Sequence, residues 1–198
     1  MIKKIFLGLV TVLFLSTFAY AIEGNIKEIM DSKIHSALTI LQNKQESNEL
    51  KAQKIFKMFD EVFDYKLMAR LALGRKYWSE ISDKQKDEYV KSFVAMLKKS
   101  FIEKLKLYNN QKMEVKDLVE NGKRAKLLTE LIGKKDTINI IYKFYHSHKR
   151  GWIIYDVIVA DVSIIQSYRK QFGDLLNGMD FDEFLKKIKQ GDTKEANA

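Results

Sequence analysis

WIIYDVIVADVSIIQSYRKQF, residues 152–172, is the stretch whose reading decides the fold. Its first half alternates. Ile153, Tyr155, Val157 and Val159 fall on one face, and Trp152, Ile154, Asp156 and Ile158 on the other. That period of two, in β-branched and aromatic residues, predicts a β-strand. Asp161 and Ser163 then offer side-chain oxygens to the free N–H groups of a helix start, and Ser163 with Gln166 has capping-box spacing. The expectation is a strand that runs directly into a helix. Since the strand is apolar on nearly both faces, other elements must cover each side of it.

Upstream, the strand is the last of four. Met113, Val115 and Val119 mark the first, and Asn121-Gly122 turns it, a dipeptide that tolerates positive φ at both positions. Ala125, Leu127, Thr129 and Leu131 line the second. Gly133 to Asp136 turns it into the third, with Ile138, Ile140, Tyr142 and Phe144, and Lys149-Arg150-Gly151 leads into the fourth. Tight turns between consecutive strands predict an antiparallel meander. In such a sheet the first and third turns lie at the same end, so Lys123 and Arg124 should cluster with His146, His148, Lys149 and Arg150.

Further upstream the period changes to 3.6. Ile22 to about Leu41 carries one apolar stripe. Ser47 or Asn48 opens a second helix through Ile55, Phe56, Phe59, Val62 and Phe63. Asp64 caps a third, Tyr65 to Leu73, which Gly74 ends, and Trp78 follows in a loop. Ser82 and Gln85 form a capping-box pair before a long helix to about Tyr108. After residue 172, Asp180 or Asp182 caps a last helix with Phe181, Phe184, Leu185 and Ile188. Helices, then a sheet, then helices is the order of an α+β fold. The expected architecture is a four-stranded antiparallel meander with helices packed on it; the apolar cavity they are expected to enclose is what the resemblance given below implies.

The two ends read differently. Lys3 and Lys4 precede an apolar run from Ile5 to Phe18, and Ala19-Tyr20-Ala21 is a cleavage-site pattern. Residues 1–21 are therefore expected to be an export signal, 22–190 one domain, and 191–198 a polar, disordered tail. With no cysteine in the chain, disulfides, thiolate metal sites and acylation at the signal are excluded. The formal charge is +9, and without Lys3 and Lys4 the balance is 33 basic against 26 acidic side chains. A positive surface of that kind attracts acidic partners or anionic headgroups. Nucleic acid is not expected as a partner of an exported protein.

Catalytic chemistry is hard to assemble. His146 and His148 share one face of a strand end, but Lys143, Lys149 and Arg150 surround them and repel a cation, so no metal site is expected. Asp156 interrupts an apolar strand. It reads either as a structural acceptor or as the single carboxylate of a small cavity enzyme of NTF2-like type, and no partner base or nucleophile accompanies it. The remaining signal is apolar surplus on strands and helices, which a large ordinary core explains first and an apolar cavity between sheet and helices second; a periplasmic chaperone or adaptor binding protein through an apolar groove is a rival function.

Three stretches carry a resemblance. Phe63-Asp64-Tyr65-Lys66-Leu67-Met68-Ala69-Arg70 with Leu73-Gly74-Arg75-Lys76-Tyr77-Trp78 is similar to an F-D-x-x-x-M-A-R…L-G-x-x-W motif. Residues 85–101 resemble the helix that follows it. Residues 152–172 resemble W-x-x-Y-D-V-x-x-x-x-V-S-x-x-x-x-Y-R-x-Q-F, except that Ala160-Asp161 stands where an acidic residue and a glycine are common. These are motifs of the MlaC family, the periplasmic phospholipid-binding component of the Mla lipid-asymmetry pathway. The resemblance implies a carrier in the periplasm of a Gram-negative bacterium, not an enzyme, without a cofactor and monomeric, with bound phospholipid as its cargo. Its implied partners are an outer-membrane lipoprotein–porin complex and the MCE-domain ring of an inner-membrane ABC transporter. On this reading the acyl chains are expected against Met68, Leu71, Phe93, Leu97 and Phe101 on helices and Leu127, Ile138, Ile140, Tyr142, Tyr155, Val157 and Val159 on strands. Tyr168 and Arg169 are expected near the mouth.

Overall fold

The computed structural model describes residues 25–190; the expected export signal, 1–21, and the expected tail, 191–198, lie outside the described residues. The helices are α1 (Ile26–Gln42), α2 (Asn48–Phe59), α3 (Tyr65–Leu73), α4 (Arg75–Glu80), α5 (Asp83–Leu105), α6 (Ile164–Leu176) and α7 (Phe181–Gln190). The strands are β1 (Lys112–Asn121), β2 (Arg124–Ile132), β3 (Thr137–Ser147), β4 (Gly151–Val159) and the two-residue β5 (Val162–Ser163). They form one antiparallel sheet in sequence order. The fold is α+β.

Local chemistry sets the helix starts. Ser47 Oγ accepts from Leu50 N at 3.2 Å, and Asp64 Oδ1 from Leu67 N at 2.9 Å. Ser163 Oγ accepts from Gln166 N at 3.1 Å, and Asp180 Oδ1 from Glu183 N at 2.9 Å. At α5 the Ser82–Gln85 capping box is complete. Each oxygen satisfies an N–H that has no partner inside its helix. Gly74 ends α3 at φ 87 and ψ 157, a conformation essentially restricted to glycine. The chain does not loop there, as expected for Trp78; it turns straight into α4, which carries Trp78.

Three details of the sheet depart from the sequence reading. First, the β1–β2 turn is Gly122-Lys123, since Asn121 pairs with Arg124. Only Gly122 takes positive φ, which is the II′ arrangement with glycine first. Second, β4 does not run directly into a helix. Ala160 and Asp161, both at left-handed φ, reverse the chain into β5, so the sheet has five strands rather than four. Third, the register of β3 and β4 shifts between Lys143 and Phe144. Phe144 faces Ile154 while Tyr142 faces Val157, so Tyr155 is an extra residue, and it leaves the face that Val157 occupies.

The bulge defines the two sides of the sheet. The inner face carries Met113, Val115 and Leu118 of β1, Ala125, Leu127 and Thr129 of β2, Ile140, Tyr142 and Phe144 of β3, and Ile154, Val157 and Val159 of β4. Helices α1 and α2 cover it through Ile26, Met30, Ile34, Ile55 and Phe59. A second core forms wholly between helices: Met68, Ala69 and Ala72 of α3, Tyr89 and Phe93 of α5, Ile165, Tyr168 and Phe172 of α6, and Phe184 of α7. Phe63 and Ile164 touch both cores.

Candidate functional site

Between the cores runs a strap, Glu61–Asp64. Ile154 N donates to Val62 O at 2.7 Å and Asp64 N to Ile154 O at 2.9 Å, so the strap pairs with β4. Arg150 donates to Glu61 O at 2.8 Å and to Phe63 O at 3.1 Å. Tyr145 Oη donates to Asp64 Oδ2 at 2.5 Å, and burial together with that carboxylate pushes the Tyr145 phenol up to about 12. The strap therefore fixes the end of α2 and the start of α3 against the sheet.

Beside it lies a groove of about 700 Å³ between α2 and α5, lined by Gln53, Phe56, Lys57, Asp60, Glu61 and Lys98. It is widely open to solvent, and four of its six lining residues, Lys57, Asp60, Glu61 and Lys98, are charged. Its rim is charged. Lys98 pairs with Asp60 at 2.8 Å, and Lys33 pairs with Glu61. Tyr65 Oη donates to Asp60 Oδ1 at 2.6 Å, and burial, then that carboxylate, raises the phenol well above its usual range. Its apolar wall is aromatic. Phe56 meets Phe101 at 5.3 Å between ring centres, and the Lys98 ammonium stands 4.8 Å from the Phe56 ring and 5.3 Å from Tyr65. Tyr65 stacks on Phe63 at 5.5 Å, and Phe63 meets Phe59 at 6.4 Å. Phe101, Phe59 and Phe63 in turn pack on the sheet-side core.

The two cores differ in what they bury. The helical core buries Tyr89, Phe93, Phe172 and Phe184 fully, and a cleft of about 290 Å³ opens at its edge between Tyr77, Ile81, Leu176, Met179 and Phe181. Tyr89 Oη donates to Ala69 O at 3.0 Å within it, and burial drives that phenol far up. On the sheet side Met113, Val115, Leu118, Ile140, Tyr142 and Val159 stay half-buried. So do Leu38, Leu41 and Phe101 on the facing helices. Tyr142 keeps part of its surface open, while burial of its phenol pushes it up to about 12. Part of the apolar inner face is thus left uncovered by protein.

The expected pocket residues divide between these environments. Leu127, Ile140, Tyr142, Val157, Val159 and Phe101 meet on the sheet side. Ile138 continues the same face at the start of β3 but stands outside that packed group. Met68, Leu71, Phe93 and Leu97 belong to the helical core instead, because helical periodicity marks an inward face without saying which core it enters. Tyr155 is on the outer face, beneath the Arg124 guanidinium at 4.8 Å and near Lys143 at 5.3 Å. Nor is Tyr168 at a mouth: it is 2% exposed and meets the Phe93 ring at 5.5 Å. Arg169 is exposed, its guanidinium lying along Gly74 in α6–α3 contact rather than beside the groove.

Sequence reading missed Phe56, Tyr65 and Lys98 as a unit. Phe56 lay in a recognised apolar stripe; nothing in the sequence places Lys98 across it. Asp156 is 3% exposed, and its oxygens accept from Ser163 Oγ at 3.0 and 2.9 Å, Ile165 N at 3.3 Å and Lys143 Nζ at 3.2 Å. That is the structural reading: the carboxylate joins β4 to β5 and the first turn of α6. His146 packs edge-on against Trp152 at 5.1 Å, and His148 lies 3.4 Å from Lys123 Nζ. Among the described residues no three His, Cys, Asp or Glu side chains are placed to hold a metal, and no helix is long and apolar enough to cross a membrane.

A meander sheet with its apolar face turned inward, helices over that face, and a charged groove between α2 and α5 beside it define an α+β protein with an apolar sheet-side core. Residues 31–190 match the family model described as MlaC protein, and the chain belongs to that family. It is 24% identical over 119 residues to the intermembrane phospholipid transport system binding protein MlaC of Haemophilus influenzae. The match covers 58% of this chain and 56% of the relative, so the chain spans just over half the length of the curated relative. The fold is also that of a phospholipid-binding protein from Ralstonia solanacearum solved in complex with a phospholipid. The TM-score is 0.74 at 16% identity, over 85% of this chain and 97% of that one.

Proposed function

We propose that the protein is a periplasmic phospholipid carrier that holds acyl chains against the inner face of the sheet and exchanges its cargo between two membranes. The observation that carries this reading is the row of half-buried apolar residues on that face, Met113, Val115, Leu118, Ile140, Tyr142 and Val159, opposite Leu38, Leu41 and Phe101. The α2–α5 groove, with its aromatic wall and charged rim, is the way in. Family membership and the names of its relatives support the choice of phospholipid over other apolar ligands.

The energetics favour a carrier. Two acyl chains of roughly 16 carbons, at about 0.8 kcal/mol per CH₂, would cost on the order of 25 kcal/mol to expose to water. An apolar interior offsets nearly all of that, so transfer from membrane to protein is close to neutral. Direction then comes from the partners, for which the reading takes an outer-membrane lipoprotein–porin complex and an inner-membrane ABC transporter with an MCE-domain ring. No covalent step is required, and the use of both Asp156 oxygens in structural bonds supports a carrier over an enzyme. The test is uptake from liposomes containing fluorescent phospholipid. The protein should remove label into a soluble, protein-bound fraction; label that stays wholly in the liposomes would rule out carriage.

A further inference from the structure

Cations that carriage does not use gather at one end of the sheet. Lys123 lies in the β1–β2 turn, and His148, Lys149 and Arg150 lie between β3 and β4. The two turns touch: His146 N donates to Lys123 O at 3.0 Å, and Lys123 Nζ is 3.4 Å from His148 Nε2. Arg124 and Lys126 extend the charge along β2. Among the described residues, Lys123, Arg124, Lys126, Lys149 and Arg150 have no carboxylate partner; the ion pairs lie elsewhere. Beside them Val119, paired with Lys126, is 58% exposed. Arg150 connects this end to the groove, since it holds the carbonyl of Glu61, a groove residue.

We propose that this end of the sheet docks on the anionic surface of a phospholipid bilayer, with the groove held next to the membrane from which cargo is loaded or to which it is delivered. The inference rests on the carrier reading. Its chemistry is that of peripheral membrane binding: uncompensated cations on projecting turns, with an exposed apolar side chain among them. A protein partner would be met by rigid aromatic or arginine anchors in a packed patch. Here the aromatic rings, Tyr155 and Trp152, meet Arg124 and His146, and the two arginines are engaged within the fold, Arg124 on Tyr155 and Arg150 on the Glu61 and Phe63 carbonyls, which leaves Lys123, Lys126 and Lys149 to face outward.

Flotation of the purified protein with phosphatidylglycerol–phosphatidylcholine vesicles and with pure phosphatidylcholine vesicles tests it. The protein should float with the anionic vesicles, be released at high salt, and ignore the neutral ones. Each lysine removed should weaken binding about fivefold, so the double variant Lys123→Gln/Lys149→Gln should bind about 25-fold less. It should keep its bound phospholipid. Lys84→Gln/Lys91→Gln, on exposed positions of α5, removes the same charge elsewhere and should bind nearly as wild type. An equal loss in both variants would reduce the effect to net charge and overturn the proposal. So would equal binding to both vesicle types, or no binding to either, which would assign the cluster to an acidic protein surface. The two readings fail separately: protein that never carries phospholipid but floats through Lys123 and Lys149 sinks carriage and keeps the docking surface.

Discussion

At the scale of single residues, conformations and buried polar groups decide most. Ala160 and Asp161 both hold left-handed φ, which costs a residue with a Cβ about 1–2 kcal/mol. Asp161→Gly should therefore stabilise the fold by about 1 kcal/mol and raise the melting temperature by roughly 2–4 °C. An unchanged or lower value by calorimetry would show that the turn is not strained. Asp156 gives the opposite case. Asp156→Ala strips bonds from Ser163, Ile165 and Lys143 at once and should cost about 2–4 kcal/mol in urea unfolding. The tyrosines set an alkaline limit. Tyr142 and Tyr145, with phenols pushed up to about 12, favour the neutral form in the folded state. That contribution is complete below about pH 10, the unfolded value, and is lost as pH rises towards 12. The urea midpoint should fall across that window, and less steeply in Tyr142→Phe.

At the scale of elements, what the sequence revealed and what it hid have separate causes. Caps are local, so Ser47, Asp64, Ser82 and Ser163 could be read directly as helix starts. The bulge at Tyr155 is not local. It depends on how β3 pairs with β4, and strict alternation therefore put Tyr155 on the wrong face. β5 was hidden because Ala160-Asp161 is not a favoured turn pair. On the strands alternation selects a face, and Leu127, Ile140, Tyr142, Val157 and Val159 share one. On the helices periodicity marks an inward side without saying which core it enters, and Met68 and Phe93 enter the other one. Gly74 joins α3 to α4 in a glycine-only conformation, and Gly74→Ala should cost about 1–3 kcal/mol although the added methyl would meet only Arg169, at 3.6 Å. Denaturant unfolding reads that directly; a neutral result would mean that the junction relaxes without loss.

At the scale of the whole molecule, the protein pairs a helical core with a sheet-side core whose apolar face is only partly covered, joined by the Glu61–Asp64 strap. The helical core fixes the position of α5, whose Lys98 and Phe101 border the groove and the sheet. With cargo held on the sheet side, as proposed, this division predicts which substitutions empty the carrier. Ile140 is half-buried opposite Val159 on the inner face, so a larger side chain there fills ligand space rather than displacing protein atoms. Leu97 packs on the helical core, so enlargement there should leave cargo in place.

Native mass spectrometry of the purified protein, wild type beside Ile140→Trp and Leu97→Trp, tests this most directly. Wild-type protein should have phospholipid bound, folded Ile140→Trp should show strongly reduced occupancy, and Leu97→Trp should match wild type. Wild-type protein that carries no phospholipid after exposure to liposomes, or an Ile140→Trp variant as fully loaded as wild type, would contradict it.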